Sequence, residues 1–175
     1  MRLWNNRIRD EGATSLANFL QSEHCRLVKF GLAGNDIGDE GASALANAIQ
    51  SEHCRLTELD LSWNNEIGDK GASALANAIQ SDHCRLTHLD LSINQIGDEG
   101  ASALANAIQC EHCRLTDLYL MCNEIGDKGA SALAKAIQSQ HCRLTELGLD
   151  GNPIGDEVVA ALVIATESGK CKLLQ

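Results

Sequence analysis

The sequence predicts an α/β repeat protein, a curved solenoid with a parallel β-sheet on its concave face and α-helices on its convex face. Three observations predict this class. A Cys-Arg-Leu triplet recurs at a nearly constant spacing, and each unit joins an alternating apolar segment to a helical one. The chain is 44% hydrophobic but only 3% aromatic. An aliphatic core of this kind suits thin stacked repeats better than one globular centre.

The triplet defines the length and the number of the units. The step between triplets is 29 residues, and 30 where an additional Asn occurs in the stretch Trp63-Asn64-Asn65-Glu66. No linker or change of composition interrupts the array. We therefore predict a single domain over residues 1–175, with about five repeats of 29–30 residues and partial repeats at both ends. The triplets begin at Cys25, Cys54, Cys84, Cys113 and Cys142, and a Cys-Lys-Leu variant begins at Cys171.

The first half of each unit predicts a strand. In Leu56-x-x-Leu59-x-Leu61 the apolar residues alternate with others, which is typical of a strand with one buried face. An Asn and then an Ile follow this frame in every unit. The frame begins at Leu27, Leu56, Leu86, Leu115 and Leu144, with Phe30 replacing one Leu in the first of these units.

The second half of each unit predicts a helix. In the segment 41–49, Ala42, Leu45, Ala46 and Ile49 fall at i, i+3, i+4 and i+7, one face of a helix. An Asp precedes each such segment, and we expect it to accept hydrogen bonds from the unpaired N–H groups at the start of its helix. These residues are Asp10, Asp39, Asp69, Asp98, Asp127 and Asp156.

Stacking these units must produce a curve. Neighbouring strands lie about 4.8 Å apart, whereas packed helices need about 8–10 Å. A stack with strands on one side and helices on the other therefore bends into a horseshoe whose sheet lines the inside. The alanines of each helix should let the helices approach closely and moderate the curvature.

The complete frame LxxLxLxxNxIGDxGAxALAxAI occurs at 56–79 (with the additional Asn), 86–108 and 115–137. It resembles the ribonuclease-inhibitor-type leucine-rich repeat, a type also found in nucleotide-binding leucine-rich-repeat receptors of innate immunity. The resemblance implies a leucine-rich repeat horseshoe that binds proteins. It departs from long inhibitor arrays in having about five units. No P-loop, GxxxxGK(S/T), precedes the repeats, so a receptor role would require sequence beyond this chain.

The terminal units differ from the others. In the last unit Val158 and Val159 replace the Gly-Ala pair and Thr166 replaces the helix Ile, which resembles a cap. The chain opens within a unit at Leu3-x-x-Asn6-x-Ile8 and stops at Leu173-Leu174, where another strand is expected to begin. The ends therefore leave two alternatives open: a piece of a longer repeat array, and a structural scaffold that self-associates through its repeat ends. The nearly identical helices leave a further alternative, an engineered repeat array.

Three columns of residues that could suggest a binding, redox or metal site, the asparagines, cysteines and histidines, have a structural interpretation. One Asn per unit should satisfy turn backbone groups in its own and the adjacent coil, with either Asn64 or Asn65 filling the place in the longer unit. The in-phase cysteines should point inward as small hydrophobes, which leaves Cys122 as the most accessible thiol. The histidines beside them lack the paired spacing of zinc sites. We expect no metal and no cofactor.

An enzymatic role is not expected either. His88, Asp90 and Ser92 share one strand and one face, which supplies the residue types of a catalytic triad. Alternate residues on a strand lie about 6–7 Å apart, too far for a direct relay between short side chains. A flat sheet also offers no oxyanion hole.

The concave face is where the units differ. The helices are nearly identical, but the surface positions of the strands combine acids with exposed Trp, Ile, Tyr and Met, which is unusual for an inert solvated surface. Lys29 is the one opposing fixed charge that we expect there. We predict a protein-protein interaction surface for a basic protein, with binding that varies between pH 5 and 8 through His88. Its predicted contacts are Glu58, Asp60, Trp63, His88, Asp90, Ile93, Asp117, Tyr119, Met121, Glu146 and Asp150.

Composition limits the other partners. The formal net charge is −10, which argues against nucleic acid and anionic membranes, because both need clustered Lys and Arg. No apolar run is long enough for a membrane helix, and the N-terminus is too polar for a signal peptide. Six of the eight cysteines are in phase with the repeat, rather than in a disulfide framework, which favours a reducing, cytoplasmic location.

Overall fold

A computed structural model describes residues 1–167 and 169–174, and it confirms the predicted solenoid. Within these ranges six helices alternate with six strands. The elements are α1 (Arg9–Leu20), β1 (Lys29–Gly31), α2 (Asp39–Ile49), β2 (Glu58–Asp60), α3 (Asp69–Ala78), β3 (His88–Asp90), α4 (Asp98–Ala107), β4 (Asp117–Tyr119), α5 (Asp127–Ala136), β5 (Glu146–Gly148), α6 (Asp156–Thr166) and β6 (Lys172–Leu174).

The strands form one open parallel sheet in the order β1-β2-β3-β4-β5-β6. The middle residue of β1 to β5 is buried against the helices, and the flanking residues lie on the other face. The register therefore builds continuous columns along the concave face. Lys29, Glu58, His88, Asp117, Glu146 and Lys172 form one column, and Gly31, Asp60, Asp90, Tyr119, Gly148 and Leu174 form the next.

The last unit departs from the predicted spacing. Lys172 pairs with Glu146, whereas the Cys-Lys-Leu triplet predicts that it aligns with Arg143. The connection to the last strand is shorter, because five residues join α6 to β6, whereas nine join α5 to β5. Lys172 N–H donates to Thr145 O (2.7 Å), as Glu146 N–H does to Thr116 O (3.0 Å) one unit earlier. Cys171 is buried but lies outside the repeated cysteine position, and the sixth strand begins at Lys172.

The core is aliphatic, as predicted. Ala42, Leu45, Ala46 and Ile49 of α2 are each no more than 1% exposed, which confirms the helical periodicity. The in-phase cysteines are free thiols and extend this core. Burial raises the pKa of Cys84 and of Cys113 to about 11, so both are neutral at physiological pH. Cys122 is exposed, in agreement with its expected accessibility.

The asparagine column connects adjacent coils, and Asn64 rather than Asn65 occupies it. Asn64 is 1% exposed. Its Oδ1 accepts bonds from the N–H groups of Asn35 (3.0 Å) and Ile37 (3.1 Å) in the preceding coil. Its Nδ2 donates to the carbonyl of Leu61 (2.8 Å) in its own coil. One side chain thus satisfies backbone groups of two turns.

The additional residue Asn65 interrupts this column one coil later. Asn65 lies between Asn64 and Ile67 with a φ of 58°, so the turn that faces Asn94 has a different path. Among the described residues, Oδ1 of the buried Asn94 has no hydrogen-bond partner. Its Nδ2 still donates to Leu61 O (3.0 Å) and Leu91 O (3.1 Å). The additional residue therefore leaves one buried acceptor of the asparagine column, Asn94 Oδ1, without a hydrogen bond among the described residues.

The prediction that each Asp caps its own helix is wrong. Asp39 is the first residue of α2, and its side chain points across to the next coil. There Oδ1 accepts bonds from the N–H groups of Gly68 and Gly71, both at 2.8 Å, at the start of α3. The carboxylates therefore stabilise helix N-termini, as expected, but they connect neighbouring coils. Asp10, Asp69 and Asp98 do the same for α2, α4 and α5, and Asp127 bonds to Gly155 before α6.

Candidate functional site

A groove of about 350 Å³ lies on the concave face toward the N-terminal end. It brings together five of the predicted contact residues: Glu58, Asp60, His88, Asp90 and Tyr119. The remaining predicted contacts lie outside its lining, in the same sheet or in the turns that follow it. These are Trp63, Ile93, Asp117, Met121, Glu146 and Asp150.

The sequence pattern alone did not identify three N-terminal residues of this groove, Met1, Arg2 and Trp4. Leu3 N donates to Gly31 O (2.8 Å), so the first residues run parallel to β1 and extend its sheet. The Trp4 ring covers Gly31: a Cβ there would lie 2.6 Å from the indole Nε1. The frame Leu3-x-x-Asn6-x-Ile8 carried the signal, because period-two alternation about Leu3 places Arg2 and Trp4 on the concave face.

The carboxylates of the groove have different surroundings. Glu58 forms an ion pair with Lys29 (2.5 Å). Asp60 Oδ1 accepts bonds from the N–H (3.1 Å) and hydroxyl (2.7 Å) of Ser62. Asp90 Oδ1 accepts a bond from Ser92 N–H (2.9 Å). Within the described part of the chain, no cation lies within 4.0 Å of Asp60 or Asp90, which are register partners on adjacent strands.

The expectation that Lys29 is the one opposing charge is wrong. Arg2 lines the same groove, with its guanidinium 4.9 Å from the centre of the Trp4 ring. Lys172 lies opposite Glu146 at the other end of the sheet. The concave face is therefore acidic at its centre, with Arg2 and Lys29 near its N-terminal end and Lys172 at the other.

Burial raises the pKa of Asp90. Hydrogen bonding from Ser92 opposes the shift, and the neighbouring charge of Asp60 adds to it. A raised pKa means that the folded state binds the proton more tightly than the unfolded chain. Ionised Asp90 therefore destabilises the fold, and this penalty develops as the pH rises from the unfolded pKa through the folded one.

We expect Asp90→Asn to be more stable than the wild type at pH 7, because it removes this penalty and keeps an acceptor for Ser92. The difference in free energy of unfolding between the two proteins should shrink as the pH falls below about 4, near the unfolded pKa of Asp. Urea unfolding at a series of pH values measures it. A variant advantage that is the same at pH 3 and pH 7 would contradict the assignment.

Asp117 is less available than the sequence suggested. It is buried, and its Oδ2 accepts a bond from Thr116 Oγ1 (2.5 Å) and lies 2.9 Å from His88 Nε2. The His88 Nδ1 is 2.8 Å from Thr87 Oγ1. The exposed ring of His88 is therefore the group that this pair presents at the surface, and Asp117 holds it in place.

Tyr119 is fixed by its neighbours. Its hydroxyl donates to Glu146 Oε2 (2.8 Å). Burial, followed by this contact with Glu146, raises the pKa of Tyr119, so the phenol stays protonated. Met121 packs over Gly148, where a Cβ would meet the Met121 sulfur and contact the Tyr119 ring at 3.3 Å. The aromatic side chain therefore has a defined position at the edge of the groove.

Trp63 and Ile93 occupy a strained backbone position. Their φ angles are 59° and 58°, in the left-handed region that glycine adopts freely, and the same place in other units is Gly34 (66°) and Gly151 (74°). Backbone hydrogen bonds to the next coil hold this conformation: Trp63 N–H donates to Ser92 O (2.9 Å) and Ile93 N–H to Met121 O (2.8 Å). A bulky residue there costs about 1–2 kcal/mol. The Trp63 side chain is nonetheless 60% exposed.

The arrangement of these side chains gives little support for catalysis or metal binding. His88 contacts Thr87 and Asp117, while Asp90 contacts Ser92, so the three triad residue types do not form a relay. In residues 1–167 and 169–174 no three His, Cys, Asp or Glu side chains lie close enough together to hold a metal ion. None of the helices described there is long and apolar enough to cross a membrane.

A protein-family model described as "Leucine Rich repeat" matches four segments of the chain. They span residues 27–46, 53–76, 83–105 and 112–134, which together make up slightly more than half of the sequence. No curated protein matches the chain in sequence.

Solved structures share the architecture. A structure titled "Leiomodin-1 Actin-Binding Site 2" is similar over 89% of this chain and 87% of that one, with 16% identity and a TM-score of 0.68. An internalin from Listeria monocytogenes is similar over 91% of this chain, with 25% identity and a TM-score of 0.56. This chain spans 36% of the internalin chain.

Proposed function

Because the chain belongs to the leucine-rich repeat family, we propose that it is a protein-recognition module that binds a basic protein through its concave sheet. The repeat frame and the family support a protein-binding repeat domain. The ribonuclease-inhibitor-like type and a cytoplasmic location are part of the same proposal. The acidic centre of the concave face supports a basic partner, since no cation of residues 1–167 and 169–174 lies within 4.0 Å of Asp60 or Asp90.

The observation that carries the proposal is the strained pair Trp63 and Ile93. Glycine at the same place in other units shows that the fold itself does not require a side chain there. Two large apolar side chains instead lie in adjacent coils beside the acidic groove. Strained positions of this kind concentrate at binding sites, and exposed Trp dominates the energy of many interfaces.

We expect Trp63→Gly and Ile93→Gly to separate binding from stability. Each variant should unfold at or above the wild-type temperature, because glycine relieves the left-handed strain. Proteins retained from a lysate by the immobilised wild type should be lost from the double variant. Titration of each such protein, once purified, should show an affinity at least tenfold lower for the double variant.

Asn65→Gly is the matched control. Asn65 is exposed in the same coil and also has a positive φ (58°), but it adds no apolar surface. This variant should bind like the wild type. A purified partner that binds the double variant as tightly as the wild type would contradict the concave assignment. A double variant that binds normally and unfolds at a lower temperature than the wild type would contradict it too.

Self-association through the repeat ends is the second candidate. It is favoured by apolar side chains exposed on the terminal coils, such as Phe19 (51%) on α1 and Ile164 (66%) on α6. Sedimentation of the purified chain over a hundredfold range of concentration distinguishes the two. A sedimentation coefficient that rises with concentration, and no longer rises in Phe19→Ser, would favour assembly over recognition.

A further inference from the structure

The two carboxylates at the centre of the groove each keep one oxygen unused. Among the described residues, the hydrogen bonds to Asp60 and Asp90 reach Oδ1 in both cases. The two residues are register partners on β2 and β3, which lie about 4.8 Å apart in a parallel sheet. Two like charges are thus held side by side facing one cavity.

Aromatic side chains border the same cavity on both sides. Trp4 lies over Gly31 at the N-terminal side, and Tyr119 lies on β4 at the other side. The Trp4 ring already accommodates a guanidinium, because that of Arg2 lies 4.9 Å from its centre. Tyr119 is fixed by its bond to Glu146, so its ring does not need to be ordered when a ligand enters.

We propose that this groove receives the guanidinium of an arginine side chain from the protein partner, held by Asp60 and Asp90 between Trp4 and Tyr119. The inference rests on the proposed function and names the chemistry that its central site recognises. The cations of the groove, Lys29 and Arg2, lie against Glu58 and Trp4, so the charges of Asp60 and Asp90 select a further cation. The cavity of about 350 Å³ has room for one long side chain.

The geometry favours arginine over lysine. A guanidinium is planar and presents a fork of N–H donors, so it can reach two carboxylates on adjacent strands at once and still stack on an aromatic face. An ammonium is a compact, strongly hydrated point charge without a face for stacking. A metal ion fits less well, because among the described residues no three His, Cys, Asp or Glu side chains lie close enough together to hold one.

The test is an NMR titration of the full chain with N-acetyl-arginine amide, N-acetyl-lysine amide and N-acetyl-citrulline amide. The arginine compound should shift the Trp4 indole N–H and the backbone amides of Asp60, Asp90 and Tyr119 most strongly. Its dissociation constant should be at least fivefold lower than that of the lysine compound. The citrulline compound, which is uncharged, should cause no saturable shift.

Asp60→Asn combined with Asp90→Asn should abolish the arginine response and keep the fold, because Asn retains an acceptor for Ser62 and Ser92. Glu40→Gln combined with Glu99→Gln is the matched control: it removes the same charge from exposed helix positions and should respond like the wild type. Equal affinity for arginine and lysine would overturn the inference, as would shifts scattered over the return loops or an unchanged response in the Asp variant.

The inference and the proposed function can fail separately. A purified partner that is lost from the Trp63→Gly and Ile93→Gly variant but binds the Asp60→Asn and Asp90→Asn variant normally would leave the concave surface in place. The arginine assignment alone would then be wrong. A partner that both variants lose, and whose binding also falls when one of its arginines becomes lysine, would support both.

Discussion

Replacing Asn64 with Ala is expected to lower the free energy of unfolding by about 3–5 kcal/mol, because each buried backbone donor left unpaired costs about 1–3 kcal/mol. The two donors are the N–H groups of Asn35 and Ile37, both 0% exposed and both bonded to Asn64 Oδ1. The change also removes the donation to Leu61. A loss of this size is a large part of the stability of a typical domain, about 5–15 kcal/mol.

Asn94→Ala provides the comparison within the same column. Its Oδ1 has no partner among the described residues, so truncation leaves no backbone donor unpaired there and removes only the donations of Nδ2. We expect a loss of about 1–2 kcal/mol, since an undersatisfied carbonyl is better tolerated than an unpaired N–H. Urea unfolding of both variants measures the difference. Equal losses would show that the additional Asn65 does not disturb the ladder.

The structural role of the asparagine column was predictable from the sequence, but the residue that fills it in the longer unit was not. The period of 29 residues places an Asn in each turn and predicts its structural role, which the structure confirms. It could not decide between Asn64 and Asn65, because both fit the frame and the choice depends on which residue enters the left-handed region. The unpaired oxygen of Asn94 follows from that choice one coil later. No pattern within the unit of Asn94 itself signals it.

The carboxylates that precede the helices show a second limit. Their type and position predict interaction with a helix N-terminus, and the structure agrees. The predicted helix was wrong. A pattern along the chain describes only the unit that contains it, whereas Asp39 accepts hydrogen bonds from the start of α3 in the next unit. The way in which successive coils are offset in the stack determines this contact, and a pattern along the chain does not contain that offset.

The candidate site was predictable as a surface but not in its details. Period-two alternation places Asp60, Asp90 and Tyr119 on the concave face, and the register confirms these columns. Alternation does not report how side chains lean over their neighbours. Trp4 covers Gly31 and Asp117 is buried beside His88, because the small or polar residue in the adjacent strand leaves room or a partner for each.

The close approach of the helices leads to the second large effect, which we expect for Gly71→Ala. Alanine favours helix over glycine by about 1 kcal/mol, so a helix position alone predicts stabilisation. A Cβ at Gly71 would, however, lie 2.9 Å from Asp39 Oδ1, 2.9 Å from Ile67 Cγ2 and 3.1 Å from Ala42 Cβ. Two of these atoms belong to the neighbouring coil, so the new methyl group must push α2 and α3 apart.

We therefore expect Gly71→Ala to lower the free energy of unfolding by about 2–3 kcal/mol, in the range of overpacked cores. Gly68→Ala is the control in the same turn: its nearest contacts would be at 3.7 Å and its φ is −107°, so the loss should stay below about 1 kcal/mol. Urea unfolding compares the two. If Gly71→Ala is as stable as Gly68→Ala, the helices have room to separate, and the curvature that shapes the concave groove is not set by this contact.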